Sequence, residues 1–226
     1  MIRLRTMAAV AALTMTASAT AAAQTCIGLP DLTVTRASLG AEAQFNDGAT
    51  AYTGRLGLNS RTAFGGISVG YASYSDDEIF DDDVSATTFG GDIGLERHIG
   101  TTKRMHVCPI FSLLYQSGPN FRFDGDEVKG SGIVGSLGVA LGASFPLTPT
   151  LSMVPFGRAG LSSVRSTAES LGVSETETET GGLLGLGASF RFNDIFAITP
   201  SVAIPVGFDD ADATFSLGVT LGFRRR

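Results

Sequence analysis

Few residues in this 226-residue chain are suited to chemistry, and they fall into three groups. Glu96, His98 and His106 bring two imidazoles and a carboxylate close together in sequence. Two histidine nitrogens and a carboxylate oxygen could hold a divalent transition metal. The same three side chains would also make a hydrogen-bonded cluster. With no fourth ligand in view, the cluster is the preferred reading, and no metal or other cofactor is expected. The second group is the cysteine pair, Cys26 and Cys108. The third is acidic: Asp76, Asp77, Glu78, Asp81, Asp82 and Asp83; Asp124, Asp126 and Glu127; Glu169, Glu175, Glu177 and Glu179; Asp209, Asp210 and Asp212; and Asp47. Carboxylate oxygens suit hard cations such as Ca²⁺ or Mg²⁺, but the spacing lacks the alternating ligands and central glycine of an EF-hand loop. Solvated, charged loops are the alternative and the preferred reading. No nucleophile elbow, P-loop, dinucleotide fingerprint or HExxH helix occurs. General acid-base work by two clustered carboxylates is the only catalytic route left, so no enzyme is expected.

The N-terminus determines the compartment. Arg3 and Arg5, an alanine-rich apolar stretch from Met7 to Ala19, and Ala21-Ala22-Ala23 before Gln24 read as a secretory signal over residues 1 to 23. Residues 24 to 226 are then one exported domain. Loss of Arg3 and Arg5 deepens the net charge from −6 to about −8. No basic tract for nucleic acid exists. In an oxidising compartment Cys26 and Cys108 are expected to join, with two free thiols as the alternative.

The mature chain reads as strands throughout. Ten segments alternate in period 2, at roughly 33 to 45, 50 to 59, 63 to 74, 86 to 99, 105 to 117, 131 to 145, 151 to 164, 182 to 192, 195 to 206 and 213 to 223. The first hairpin turns at Asn46-Asp47-Gly48, and Asp-Gly between alternating runs is a strong hairpin signal. Each segment has one apolar face, such as Ile133, Leu137, Val139 and Leu141, and one small or polar face, such as Ser136, Gly138, Ala140 and Gly142.

Alternation alone does not say which face points inward. Three features decide for the polar one. Its glycine and serine suit a narrow, crowded lumen. Connections alternate, with long ones at 75 to 85, 118 to 130 and 165 to 181 facing compact turns around Ser60, Gly100 to Arg104, Pro146 to Thr150 and Asn193. Outward aromatics gather near the segment ends: Phe45, Tyr52, Tyr71, Phe89, Tyr115 and Phe215 at one, Phe145, Phe192, Phe196 and Phe223 at the other. Eight residues from Phe215 to Phe223, at a tilt near 40°, separate the two girdles by roughly 20 Å, close to the apolar band of a membrane barrel. The expectation is a closed, antiparallel, up-and-down transmembrane β-barrel of ten strands, with eight as the alternative. Closure is required because open edges in hydrocarbon leave backbone groups unpaired. Parity then puts Arg36, Glu42, Arg55, Asp92, Glu96, Arg158 and Arg191 in the lumen, along with Cys108, His98 and His106. From Cys108 a bridge would pin residues 24 to 32 across the mouth.

The last segment ends in Ser216-Leu217-Gly218-Val219-Thr220-Leu221-Gly222-Phe223, followed by Arg224 to Arg226. It resembles the C-terminal insertion signal of bacterial outer-membrane barrels, carried by Ser216, Gly218, Leu221 and Phe223. Over the whole mature chain the sequence resembles the small outer-membrane barrel superfamily of opacity-type and OmpA-like domains. The resemblance implies an outer-membrane location with both termini periplasmic, contact with outer-membrane lipid, and assembly by the barrel-assembly machinery through the last strand. Enzymes of that superfamily use a histidine near the outer leaflet, whereas His98 and His106 lie at the turn end. A monomer with a structural or surface-interaction role through acidic external loops is expected. A narrow passive pore is the alternative.

Overall fold

The computed structural model describes residue 26 and residues 35–60, 62–74, 84–100, 104–123, 126–170, 173–193, 195–208 and 212–224. The signal segment lies outside them. Among the described residues no helix is long and apolar enough to cross a membrane, and strands do the crossing. The strands are β1 (Thr35–Asn46), β2 (Ala49–Asn59), β3 (Ala63–Tyr74), β4 (Val84–Leu95), β5 (Arg97–Ile99), β6 (Met105–Phe123), β7 (Asp126–Ala143), β8 (Phe145–Pro146), β9 (Leu151–Ser170), β10 (Val173–Phe192), β11 (Phe196–Val206) and β12 (Thr214–Arg224). β5 and β8 continue β4 and β7 past Glu96 and Ser144, so the twelve strands form ten staves. Every stave pairs antiparallel with its sequence neighbour, and β1 pairs with β12 from Thr35↔Arg224 to Phe45↔Phe215, which closes the ring. Ten staves, the expected count, bring both chain ends to one mouth.

The faces sort by solvent. Outward residues are large and apolar: Leu137 is 62% and Leu161 66% exposed. Inward lie buried Ser38, Gln44, Thr53, Arg55, Asp92, Gln116 and Arg191. In water each outward leucine or phenylalanine would forgo about 1.5–3 kcal/mol of burial, so only hydrocarbon makes this arrangement stable. The aromatic girdle at the end away from the chain termini is built from directly opposed pairs, Phe45–Phe215, Tyr52–Tyr71 and Phe89–Tyr115. Such opposed aromatic pairs add to sheet stability.

The structure corrects two expected loops. Residues 118 to 130 and 165 to 181 are mostly strand: β6 and β7 pair up to Phe123↔Asp126, and β9 and β10 up to Ser170↔Val173. The reason is local. From Val173 to Thr180 serine and threonine alternate with glutamate, a polar strand with the period of the apolar one below it. These stretches stand above the membrane as a four-stranded sheet, β6–β7–β9–β10. At the first hairpin Asn46 pairs with Ala49, and Gly48 sits at φ 80°, where a Cβ would be strained.

The prolines inside strands fall where one ladder is missing. Pro109 faces the break between β4 and β5, and Pro155 the break between β7 and β8. Pro200 lies in the gap between Gly187↔Ser201 and Phe190↔Ile198, and Pro205 beyond the last β11–β12 pair, Ala203↔Thr214. A residue without an N–H thus sits where no neighbour requires one.

Candidate functional site

The site is the lumen and the sheet above it. At the mouth holding the chain ends, Cys26 and Cys108 form a disulfide, both fully buried, packed with Phe64 and Ala140 and with Ile110 and Phe156 alongside. Cys26 lies against Gly142: a Cβ there would come within 2.6 Å of the Cys26 carbonyl oxygen. Cys26 therefore sits inside the barrel at this mouth, as the lumen parity of its partner Cys108 implied; the rest of residues 24 to 32, expected to be pinned across the mouth, lies outside the described residues. At the same mouth Glu96 Oε1 and His106 Nδ1 are hydrogen-bonded at 2.6 Å, and His98 opposes His106 across β5 and β6 with ring centroids 4.6 Å apart. Among the described residues no group of three or more histidines, cysteines or carboxylates has metal-holding geometry.

The middle of the lumen is ionic. Arg55 forks onto Asp92, Nε to Oδ1 at 3.0 Å and Nη2 to Oδ2 at 2.7 Å, with both side chains buried. A two-bond fork of this kind is what makes a charge pair tolerable in a dry interior. Room for it comes from glycine: a Cβ at Gly66 would lie 2.6 Å from the Arg55 guanidinium carbon. Gly185 makes way in the same manner for Arg158. Glu42 is the electrostatic counterpart of Arg158 on the wall of a polar cavity also lined by Ser38, Thr53, Thr199 and Ser201. Gln44 Nε2 donates to Glu42 Oε1 at 2.8 Å. Arg191 donates to the hydroxyls of Ser144 (2.8 Å) and Ser152 (3.2 Å). Arg36 belongs to β1, and its side chain lies outside the described residues. Serine and threonine pairs close the rest, with Ser201–Ser216 at 2.6 Å and Thr199 donating to Ser189 at 3.0 Å.

Toward the mouth opposite the chain ends the lumen becomes apolar. Leu114, Val134 and Val164 pack with Phe208, and Ala51, Ala72, Tyr74, Val84 and Ala86 form a second cluster. Gln116, fully buried, donates to Tyr74 Oη at 3.3 Å and to the Gly118 carbonyl at 3.2 Å. Sequence reasoning passed over Gln44, Tyr74, Gln116 and Phe208. Strand parity marks the first three, since Gln44 alternates with Glu42 and Tyr74 with Ala72.

Of the acidic residues, Asp76 to Asp83, Asp124, Asp209 and Asp210 lie outside the described residues, and Asp126 and Glu127 are placed by backbone alone. Glu169, Glu175, Glu177 and Asp212 are exposed, and Glu179 is half-buried. The insertion-signal residues divide by face: Ser216 and Gly218 point inward, Leu221 and Phe223 outward.

A closed β-wall with a lipid-facing apolar belt and a largely polar interior defines a transmembrane β-barrel protein. The model of the outer membrane protein beta-barrel domain family matches residues 7–223, and the chain belongs to that family, within the small outer-membrane barrels. It is thus an outer-membrane protein. The β domain of the Bordetella autotransporter BrkA is similar in structure, with a TM-score of 0.50 at 14% identity, over 83% of this chain and 98% of that one. The translocator domain of the autotransporter NalP from Neisseria meningitidis gives 0.50 at 13% identity, over 86% and 90%. The N-terminal β-barrel domain of Pseudomonas aeruginosa OprF gives 0.35 at 16%, over 82% and 97%. At these identities the likeness is one of fold. No curated protein matches the sequence.

Proposed function

We propose that this protein is a non-enzymatic, monomeric outer-membrane barrel with a closed lumen, acting at the cell surface through its acidic external strands and loops. The observation that carries the reading is a set of side-chain contacts across the lumen at three depths: the Cys26–Cys108 bridge, the Arg55–Asp92 fork, and the apolar packing around Phe208. A barrel of about ten strands is near the size that side chains fill. The mouth with both chain ends and the compact turns is the periplasmic one, and the protruding sheet is extracellular. Outer-membrane lipid surrounds the belt. Ser216, Gly218, Leu221 and Phe223 are the contacts offered to the assembly machinery. The acidic residues above the membrane are offered to divalent cations, and loop proteolysis with and without millimolar Ca²⁺ tests that part.

The experiment for the closed lumen is planar-bilayer recording. Wild-type protein gives no large, steady conductance, and Arg158→Ala or Arg191→Ala raises the ion leak. Large steps from wild type, unaltered by either substitution, would overturn the reading. They would favour a narrow passive pore through the polar cavity beside Glu42 and Arg158. Insertion itself is read from gel mobility: a closed barrel resists SDS until boiled, because its backbone groups are paired internally.

A further inference from the structure

The sheet above the membrane has two edges of different character. On the β6 side, Ser117 is the last residue paired with β4, and the exposed edge begins at once with a register shift between Ser117 and Asn120 that contains Pro119. A bulge and a proline are the usual devices that make a strand edge a poor template. On the β10 side the last residue paired with β11 is Gly182, opposite Val206. Above it, from Val173 to Gly181, β10 pairs with β9 in unbroken register, and among the described residues it has no ladder partner on its other side. The ring of Phe208 closes the lower end, packed where a Cβ of Gly181 would be. What remains, Val173 to Thr180, is an extended edge with no proline, no bulge and no glycine. Alternate residues along such an edge leave an N–H and a C=O without a strand partner.

Side chains restrict what can pair with it. Glu175, Glu177 and Glu179 occupy one face, in line with the inward residues Gly181 and Leu183 below. Thr176, Thr178 and Thr180 occupy the other, tied to β9 by Thr167–Thr176 (3.1 Å) and by Thr180 donating to Ser163 (3.3 Å). A strand of a second copy would set its own glutamate row against this one, and like charges directly opposed are destabilising. A strand with Lys or Arg at alternate positions would place its cations over the carboxylates, with main-chain bonds giving affinity.

We propose that Val173–Thr180 is a strand-addition site for an extended segment of a foreign protein with basic residues at every second position. The proposal rests on the surface-interaction reading and gives it a partner class. The probe is a ten-residue fluorescent peptide of alternating lysine and threonine, added to the full barrel in detergent micelles. Saturable binding by anisotropy is expected, with slowed amide exchange confined to residues 173–181. Replacing the exposed Glu175 and Glu177 together by Gln weakens binding at least tenfold, in a variant shown to be folded by its heat-modifiable migration. Methylating every second peptide nitrogen on the pairing edge abolishes binding while keeping all charges. No binding, equal binding of the methylated peptide, or protection elsewhere overturns the proposal. Bilayer conductance, which tests the closed lumen, is independent of every one of these outcomes.

Discussion

Strand β9 passes through two solvents, and its outward face records both. Within the belt that face carries Ala159 and Leu161; above it come Ser163, Arg165, Thr167 and Glu169. β10 makes the same change, from Leu186 and Leu184 below Gly182 to Thr180, Thr178 and Thr176 above it. The ladder between the two strands runs through the boundary without a break, from Phe192↔Leu151 to Val173↔Ser170. The period of the side chains therefore maintains the sheet, while their chemical class marks where lipid ends. Inside the belt polar groups must find partners in the wall or the lumen; above it water serves.

Substitutions that cost much in one region and little in the other test this difference. The largest effect is expected at Asp92→Ala, which leaves the Arg55 guanidinium buried without its fork. Breaking a buried pair from one side costs about 3–5 kcal/mol. Reversible denaturant unfolding from lipid vesicles measures it, and Glu177→Gln in the sheet should leave the midpoint where it was. Next is Val219→Arg. Val219 faces outward midway between Phe215 and Phe223, and an arginine at the bilayer midplane of a barrel costs about 2–4 kcal/mol. The same change at Thr178, above the belt, should stay within about 0.5 kcal/mol. Equal costs at the two positions would show that the boundary has been misplaced. The smallest contrast is between two hydroxyl pairs. Ser216→Ala removes the lumen bond to Ser201 and should cost about 1 kcal/mol. Thr176→Val removes the exposed bond to Thr167, where water substitutes, and should be hard to distinguish from wild type.

Period 2 made the ten staves legible, because within the belt apolar and small residues alternate without exception long enough to mislead. The ring and the outward girdle followed from the same signal. Parity likewise placed Glu42, Arg55, Asp92, Glu96, Arg158 and Arg191 on the inner side, but it gave no distances. Whether an arginine would meet a carboxylate, as Arg55 meets Asp92, or serine hydroxyls, as Arg191 meets Ser144 and Ser152, depends on stagger between strands far apart in sequence. The upper hairpins were missed as strands since their apolar face vanishes where lipid stops. The alternation of glutamate with threonine after Val173 was the available signal. Ladder gaps are legible in retrospect from Pro109, Pro155 and Pro200, each of which forbids a bond on one side of its strand.

The disulfide has a mechanical consequence. Cys26 precedes the first stave and Cys108 lies in β6, 82 residues on, so β1 to β5 are enclosed in one covalent ring. Force applied to the chain ahead of Cys26 would not peel β1 from its seam with β12. It would bypass the first four staves and pull at Cys108, on a strand held by ladders on both flanks, so that many bonds must shear at once instead of opening in turn. In single-molecule extraction the oxidised protein should resist until a single large rupture, and the reduced protein should come out stave by stave.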